Sequence, residues 1–289
     1  MKKFKLGALS LSPVFDGTKP VESLWDTIEL ASHLESFGYS RYWIAEHHSP
    51  RVAHSSPELL VSIIAGVTKT IRIGTGGILL RLRSPLKVAE DFRLLNALYP
   101  GRIDLGIARG GGGAEESQIG GESCEPFEER TSSLLTYLRD SASDVASPTG
   151  IDSPEVWMLG SNTTSMHLAA RHGTAFCFAH FLARSEVDPM SVVAAYYSTF
   201  IPSTHLKEAK CCVAFAGVCG ASDAVAQGLL PPNVPYKIAR TIIGGSEQWS
   251  REFETWNKRL QVTEFLFLDM CRQLNDKVNS CMLLAQSMP

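Results

Sequence analysis

The feature that most constrains this chain is an alternation of short apolar runs with longer amphipathic ones, repeated eight times along 289 residues. The short runs are Lys5–Ser10, Arg41–Ala45, Ile71–Leu80, Ile103–Ala108, Val156–Leu159, Ala175–Ala179, Cys211–Val218 and Thr263–Leu268. Most are continuously apolar, which marks strands covered on both faces. The segments between them read as helices: Pro20–Phe37, Pro57–Lys69, one opened by Ser84-Pro85, Phe127–Arg139, Thr163–Arg171, Met190–Phe200, one carrying Trp249, Phe253, Trp256 and Leu260, and a last one to about Gln286. On the first, Val21, Leu24, Trp25, Ile28, Ala31 and Leu34 share a face and Gly38 marks the stop. Ser84 before Pro85 is an N-cap followed by proline at the first helical position. Eight βα units in under 300 residues point to a (β/α)8 barrel, with an open doubly wound sheet as the competing arrangement. No linker divides the chain, so residues 1–289 are expected to form one domain.

Composition excludes several classes of function. Apolar residues make up 44% and charged residues 20%, which is globular and not disordered. A net charge of −3 argues against a nucleic-acid binder held by bulk charge. The seven cysteines are odd in number, form no Cys-x-x-Cys and sit largely in apolar runs, which suits a reducing cytoplasm. Lys2, Lys3 and Lys5 are not followed by an apolar leader segment, and no apolar stretch is long enough to span a bilayer. A soluble cytoplasmic protein is therefore expected, with no membrane or nucleic-acid partner.

In a barrel, function gathers at the C-terminal ends of the strands. The second strand ends in Glu46-His47-His48. Imidazoles there could transfer protons near neutral pH. A shared metal ion is disfavoured because neighbouring strand residues point to opposite faces, and the remaining reading is one packed and one solvated histidine. The third strand carries Gly74-Thr75-Gly76-Gly77, either a bulge where a flat ligand lies on the backbone or a simple barrel bend. The fourth ends in Arg109 and then four glycines, a cation with free N–H groups suited to a phosphate. It is neither a Walker loop nor a dinucleotide fingerprint. The fifth ends in Gly160-Ser161-Asn162-Thr163-Thr164-Ser165 and turns into a helix, which offers an anion site or plain N-capping.

Together these motifs resemble the bacterial luciferase-like family of flavin-dependent monooxygenases. The segments that carry the resemblance are Arg41–His48, Ile71–Gly77, Ser84–Glu90, Pro100–Gly106 and Pro154–Ser161, with Ile243–Ser246 similar to the family's late turn before a helix. The resemblance implies a luciferase-like TIM barrel that binds reduced FMN (FMNH2) from a separate flavin reductase and activates dioxygen as a peroxyflavin. It implies His47 as the active-site histidine and Gly76-Gly77 as the bulge beside the flavin ring, often with a non-proline cis peptide. Arg109, Ser161 and Thr164, next to Gly160, would hold the phosphate, with Arg130 as a second phosphate-binding arginine. No metal is implied. A homodimer through the helices flanking the second and third strands is expected.

The chain also departs from the family. Ala108 stands where some members carry a reactive cysteine, four glycines replace a more usual Arg-Ala-Pro-Gly, and Ala183–Pro235 looks trimmed, a shortened late insertion. A shorter cover fits a large or carrier-bound substrate. It also fits a non-catalytic FMN-binding protein, and a deazaflavin-dependent hydride-transfer oxidoreductase is a further alternative.

Overall fold

The computed structural model describes residues 4–110, 126–139, 146–236 and 238–288. In chain order the elements are β1 (Lys5–Ser10), α1 (Pro20–Ser36), β2 (Arg41–Ile44), α2 (Pro57–Val67), β3 (Arg72–Thr75), β4 (Ile78–Leu79), α3 (Pro85–Leu98), β5 (Ile103–Ala108) and α4 (Phe127–Tyr137). There follow β6 (Glu155–Gly160), α5 (Thr163–His172), β7 (Ala175–Ala179), α6 (Pro189–Thr199), β8 (Cys211–Gly220), α7 (Asp223–Leu229), β9 (Ile242–Gly245), α8 (Ser246–Leu260), β10 (Glu264–Asp269) and α9 (Leu274–Gln286). All strand pairs are parallel, in the order β10-β1-β2-β3-β5-β6-β7-β8. Because β10 also pairs with β8, the ring closes and the open sheet is excluded.

Side-chain alternation sorts the strand residues into two cores. Outward-facing Tyr42, Ile44, Ile73, Ile103, Leu105, Phe176, Phe178, Phe265 and Phe267 pack under the helices. Inward-facing Leu9, Trp43, Trp157, Cys177, Cys212, Ala214 and Leu266 fill the barrel. All six described cysteines are free and buried, as small hydrophobes.

The N-terminal end of the barrel is closed by charge. Arg41 is 3% exposed and donates to Asp104 Oδ2 and Glu264 Oε1, each at 2.5 Å, and to Glu155 Oε1 at 3.3 Å. Arg72 pairs with Asp104, and Lys210 Nζ with Glu155 at 2.8 Å. Three cations thus meet three carboxylates. Trp43 Nε1 and Trp157 Nε1 donate to Asp104 and Glu155 at 2.8 and 2.7 Å. The two indoles cross edge to face at 5.2 Å, directly over the Arg41 guanidinium. Arg41 and Lys210 hold the Glu155 carboxyl down to about 2 against the opposing effect of its burial.

Three sequence expectations change. The third strand is not continuous over Ile71–Leu80. Gly74 pairs with Asp104, an offset of 30, whereas Ile78 pairs with Ile107, an offset of 29, so one extra residue bulges between β3 and β4. On α1 the buried face is Ser23, Thr27, Leu30, Ala31 and Leu34, while Val21 and Trp25 are exposed. Two polar residues take the inner face because the chain after β1 offers partners: Ser23 Oγ donates to Pro13 O at 2.8 Å and Thr27 Oγ1 lies 3.0 Å from Ser12 Oγ. Helix α2 lies against the sheet through Leu60, Val61, Ile64 and Ala65, and its outer face exposes Leu59, Ile63 and Val67. Finally, α7 and β9 are additions. Gly217 of β8 pairs with both Asp269 and Ile242, which places β9 on the β7 side of a strand that outruns the ring.

The caps follow the sequence. Ser84 Oγ accepts from Lys87 N, Gly38 takes φ +78° after α1, and α8 buries Trp249, Phe253 and Trp256.

Candidate active site

Four consecutive staves, β2, β3, β5 and β6, carry the chemistry-bearing residues to the C-terminal rim of the barrel. On β2 the interior parity of Arg41, Trp43 and Ala45 continues to His47, which is half-buried. Glu46 takes the opposite parity and is buried. Its carboxylate accepts from Leu79 N at 3.0 Å, Arg83 Nε at 3.0 Å and His48 Nε2 at 2.8 Å. Of the two adjacent histidines, His48 is therefore tied to a buried carboxylate, and the alternation of β2, carried past its end, assigns His47 to the barrel's side.

Next to it the Gly76-Gly77 peptide is cis. Gly76 N donates to Ile44 O at 2.8 Å, which ties the bulge to β2. Thr75 Oγ1, fully buried, donates to Gly106 O at 2.9 Å and accepts from Gly106 N at 3.2 Å, replacing ladder bonds that the bulge breaks. A Cβ on Gly77 would stand 2.8 Å from Ile107 C and 2.9 Å from Gly106 C and O, all backbone. Glycine is required there by close approach, and the result is a flat backbone surface at the rim.

On β5 the pairing Ala108↔Leu159 sets Arg109 level with Gly160 of β6. Arg109 is exposed and has no carboxylate partner among the described residues. The glycines after Gly110 lie outside the described residues. Across from it, Asn162 caps α5 by accepting from Ser165 N at 3.1 Å. That cap leaves the N–H groups of Thr163 and Thr164 without an intrahelical acceptor. Ser161 is half-buried and Thr164 exposed on the same turn. Gly160 has no room for a side chain because the Ser165 hydroxymethyl occupies that space. Capping and an open anion cradle thus coexist, through different residues of one turn.

Arg130 is placed differently. It lies on α4, 7% exposed, and donates to Leu80 O at 3.0 Å and to Arg83 O. Its guanidinium fixes the turn that leaves β4, and Arg83 in turn holds Glu46. Two further histidines have shifted titration. His54 is pushed down to about 4 by burial and by the neighbouring His47. His180 falls to about 4 through burial on the outer side, against Phe215 and Trp256. At the end of β10, burial raises the Asp269 carboxyl to about 6. The sequence carries no signal for these shifts: His54 stands in a loop, and His180 and Asp269 are single titratable residues at strand ends. No group of three metal-ligating side chains exists among the described residues.

The rim therefore offers a cation and open N–H groups on one side, a flat peptide surface in the middle and an imidazole on the other. That set suits a ligand with an anionic tail and a planar head. No helix among the described residues is long and apolar enough to cross a membrane.

A sequence model described as luciferase-like monooxygenase matches residues 4–259. The protein YvbT of Bacillus subtilis (strain 168) is 33% identical over 324 aligned positions, covering 97% of this chain and 95% of its own. Among solved structures, apo-MsnO8 superimposes with a TM-score of 0.88 at 29% identity, over 98% of each chain. The oxygenating constituent of 3,6-diketocamphane monooxygenase from Pseudomonas putida, in complex with FMN, shares the fold at a TM-score of 0.78 and 16% identity, over 100% of this chain and 98% of that one.

Proposed function

The chain belongs to the luciferase-like monooxygenase family, and from that premise we propose that it is an FMN-dependent monooxygenase. It takes reduced FMN from a separate flavin reductase and oxygenates a small organic, natural-product or carrier-bound substrate. The observation that carries this reading is the meeting on adjacent staves of Arg109, the open start of α5, the Gly76-Gly77 peptide and His47. Reduced flavin would supply two electrons to dioxygen, so that one oxygen atom enters the substrate and the other leaves as water.

This chain's own residues divide the remaining work. Arg109 and the Thr163 and Thr164 N–H groups, with the Ser161 and Thr164 hydroxyls, hold the phosphate through charge-assisted hydrogen bonds and the helix dipole. Gly160 keeps that turn tight. Arg130 supports the wall beside it through the Leu80 and Arg83 carbonyls. Gly76 and Gly77 let the ring system approach the backbone. Leu9, Leu11, Ala45, Leu159, Leu268 and Met270 give the mouth an apolar lining that keeps water from the reacting atoms. His47 exchanges a proton at its imidazole with the substrate. The exposed Leu59, Ile63 and Val67 of α2, with Leu94 and Leu98 of α3 and Trp25 of α1, form the face through which the protein dimerises.

The reading is tested with purified protein, FMN and a generic flavin reductase. Arg109→Ala should weaken FMN binding by about 2 kcal/mol, read from flavin fluorescence. An unchanged dissociation constant would refute the phosphate assignment. His47→Ala should leave FMN binding intact and cut label transfer from isotopic dioxygen to product by roughly a hundredfold or more. A deazaflavin in the absorbance spectrum of material released from the protein would replace the FMN assignment. Flavin oxidation that yields only peroxide with every substrate offered would favour the non-catalytic reading.

A further inference from the structure

The ladder between β2 and the third stave stops early. Ile44 pairs with Thr75, and Gly76 N donates to Ile44 O at 2.8 Å. Beyond that point β4 pairs with β5, and no strand pairing joins it to β2 among the described residues. Buried backbone amides are almost always paired, so the rim segment from Gly76 to Leu79 needs another acceptor on its β2 side.

Glu46 supplies it. The residue stands two places past the end of β2 and is 1% exposed. Its Oε2 accepts from Leu79 N at 3.0 Å, in place of a ladder carbonyl. Its Oε1 accepts from Arg83 Nε at 3.0 Å and from His48 Nε2 at 2.8 Å. Arg83 also donates through Nη2 to Ser55 O at 2.7 Å and lies 3.6 Å from Glu58. From the far side, Arg130 donates to Leu80 O at 3.0 Å and to Arg83 O. The third wall of the rim is thus held from β2 by one carboxylate and from α4 by one guanidinium.

Stability alone does not ask for this device. A buried carboxylate loses its hydration, and well-packed apolar residues often serve a fold as well as a buried ion pair. What the carboxylate adds is geometry. Its two oxygens receive donors from three directions at once, which no apolar or singly accepting side chain can do. The same residue precedes His47 in the chain and reaches Leu79, three places past Gly76. One side chain therefore sets the spacing between the end of β2 and the flat peptide surface.

We propose that Glu46 is a positioning residue, whose carboxylate sets the Gly76–Leu79 wall against the end of β2 and so fixes where a planar cofactor ring rests. The role rests on the proposed FMN reading for what the wall faces, whereas the contacts that hold the wall do not.

The experiment compares the full wild-type chain with Glu46→Gln and Glu46→Asp. Hydrogen exchange at the Leu79 amide is followed without flavin. Visible circular dichroism of bound oxidised FMN then reports the surroundings of the ring. A glutamine has one acceptor oxygen, which cannot serve Leu79 N and Arg83 together. Glu46→Gln should speed exchange at Leu79 by about tenfold or more and change the FMN band. FMN affinity should stay within about threefold, because the proposed phosphate site lies on β5 and β6. Glu46→Asp keeps the charge and both oxygens but withdraws them by one carbon, so both readings should fall between the other two proteins. If Glu46→Gln does not fold, Glu46→Asp should still differ from the wild type in both readings, and identity overturns the proposal. A lower melting temperature with an unchanged FMN band in folded Glu46→Gln also overturns it, since that is what a purely structural role produces. Equal exchange at Leu79 in all three proteins does the same. If the wild type binds no FMN, the monooxygenase reading falls, and the exchange measurement alone decides whether Glu46 holds the wall.

Discussion

The two ends of this barrel solve opposite problems with the same eight staves. At the N-terminal end, Arg41, Arg72 and Lys210 meet Asp104, Glu155 and Glu264, and two indole N–H groups complete the set. Every charge there has a partner within the chain. At the C-terminal end, among the described residues, Arg109 has no carboxylate partner, the first N–H groups of α5 have no intrahelical acceptor, and both His54 nitrogens lack a hydrogen-bond partner. A satisfied end can only hold the fold together. An end left with unspent donors and acceptors is one that something else completes.

That contrast breaks most sharply at Arg41. Arg41→Met should strand Asp104 and Glu264 as uncompensated buried charges and cost about 3–5 kcal/mol, read from urea denaturation. A loss below about 1 kcal/mol would mean that Arg72 and Lys210 hold the end without it. Gly77→Ala comes next. Its Cβ meets backbone atoms of β5 that cannot swing away, so a loss of roughly 1–3 kcal/mol and a distorted rim surface are expected. Gly76→Ala should cost less, because its nearest neighbour at 2.6 Å is the tip of the Leu9 side chain.

Acid sharpens the comparison by separating the ends in pH. His54 drops from 6.5 to about 4 on folding, so the unfolded chain takes up a proton first and stability falls as pH goes from 6.5 toward 4. Glu155 drops from 4.5 to about 2, so its contribution is whole above 4.5 and is lost only between 4.5 and 2. Asp269 runs the other way: its raised carboxyl favours the folded state below 3.8 and loses that advantage as pH rises to about 6. In melting curves, His54→Phe should flatten the slope between 6.5 and 4 by up to about 1.4 kcal/mol per pH unit. An unchanged slope would show that His54 titrates alike in both states. The smallest effect belongs to Arg109→Ala, which should shift stability by less than about 0.5 kcal/mol, because the side chain is exposed and has no carboxylate partner among the described residues.

Much of the fold could be read directly from the residues. Short and mostly apolar runs identified all eight staves, and the Trp249, Phe253, Trp256 spacing identified α8. Strand β9 escaped because Ile242-Ile243-Gly244-Gly245 is too short and too rich in glycine to stand out from a turn. On α1 the apolar stripe misled, because hydroxyls of Ser23 and Thr27 can be buried once acceptors are nearby, and sequence does not show acceptors. Arg109, Gly76, Gly77 and the Gly160–Thr164 turn were visible because each lies beside glycines or at a strand-to-helix turn, and His47 because it belongs to a pair of histidines after a strand. The charge cluster was not, since its members are single residues at the starts of five different strands and one preceding loop. Each alone looks like an ordinary solvated strand end. His54 had only its nearness to His47 in the chain, and its isolation is a property of the packed loop.

The one-residue offset between β3 and β4 has a consequence for how this chain can vary. Ile78 and Leu80 now pack beneath α3 and its neighbours, while Leu79 N reaches Glu46. Removing any single residue between Thr75 and Ile78 would swap the faces of all that follows, turning two aliphatic anchors toward the lumen and pulling an amide off its carboxylate. Point changes at this corner can be graded and repaired, but a deletion there is all or nothing, so the third wall of the rim is inherited as a fixed length.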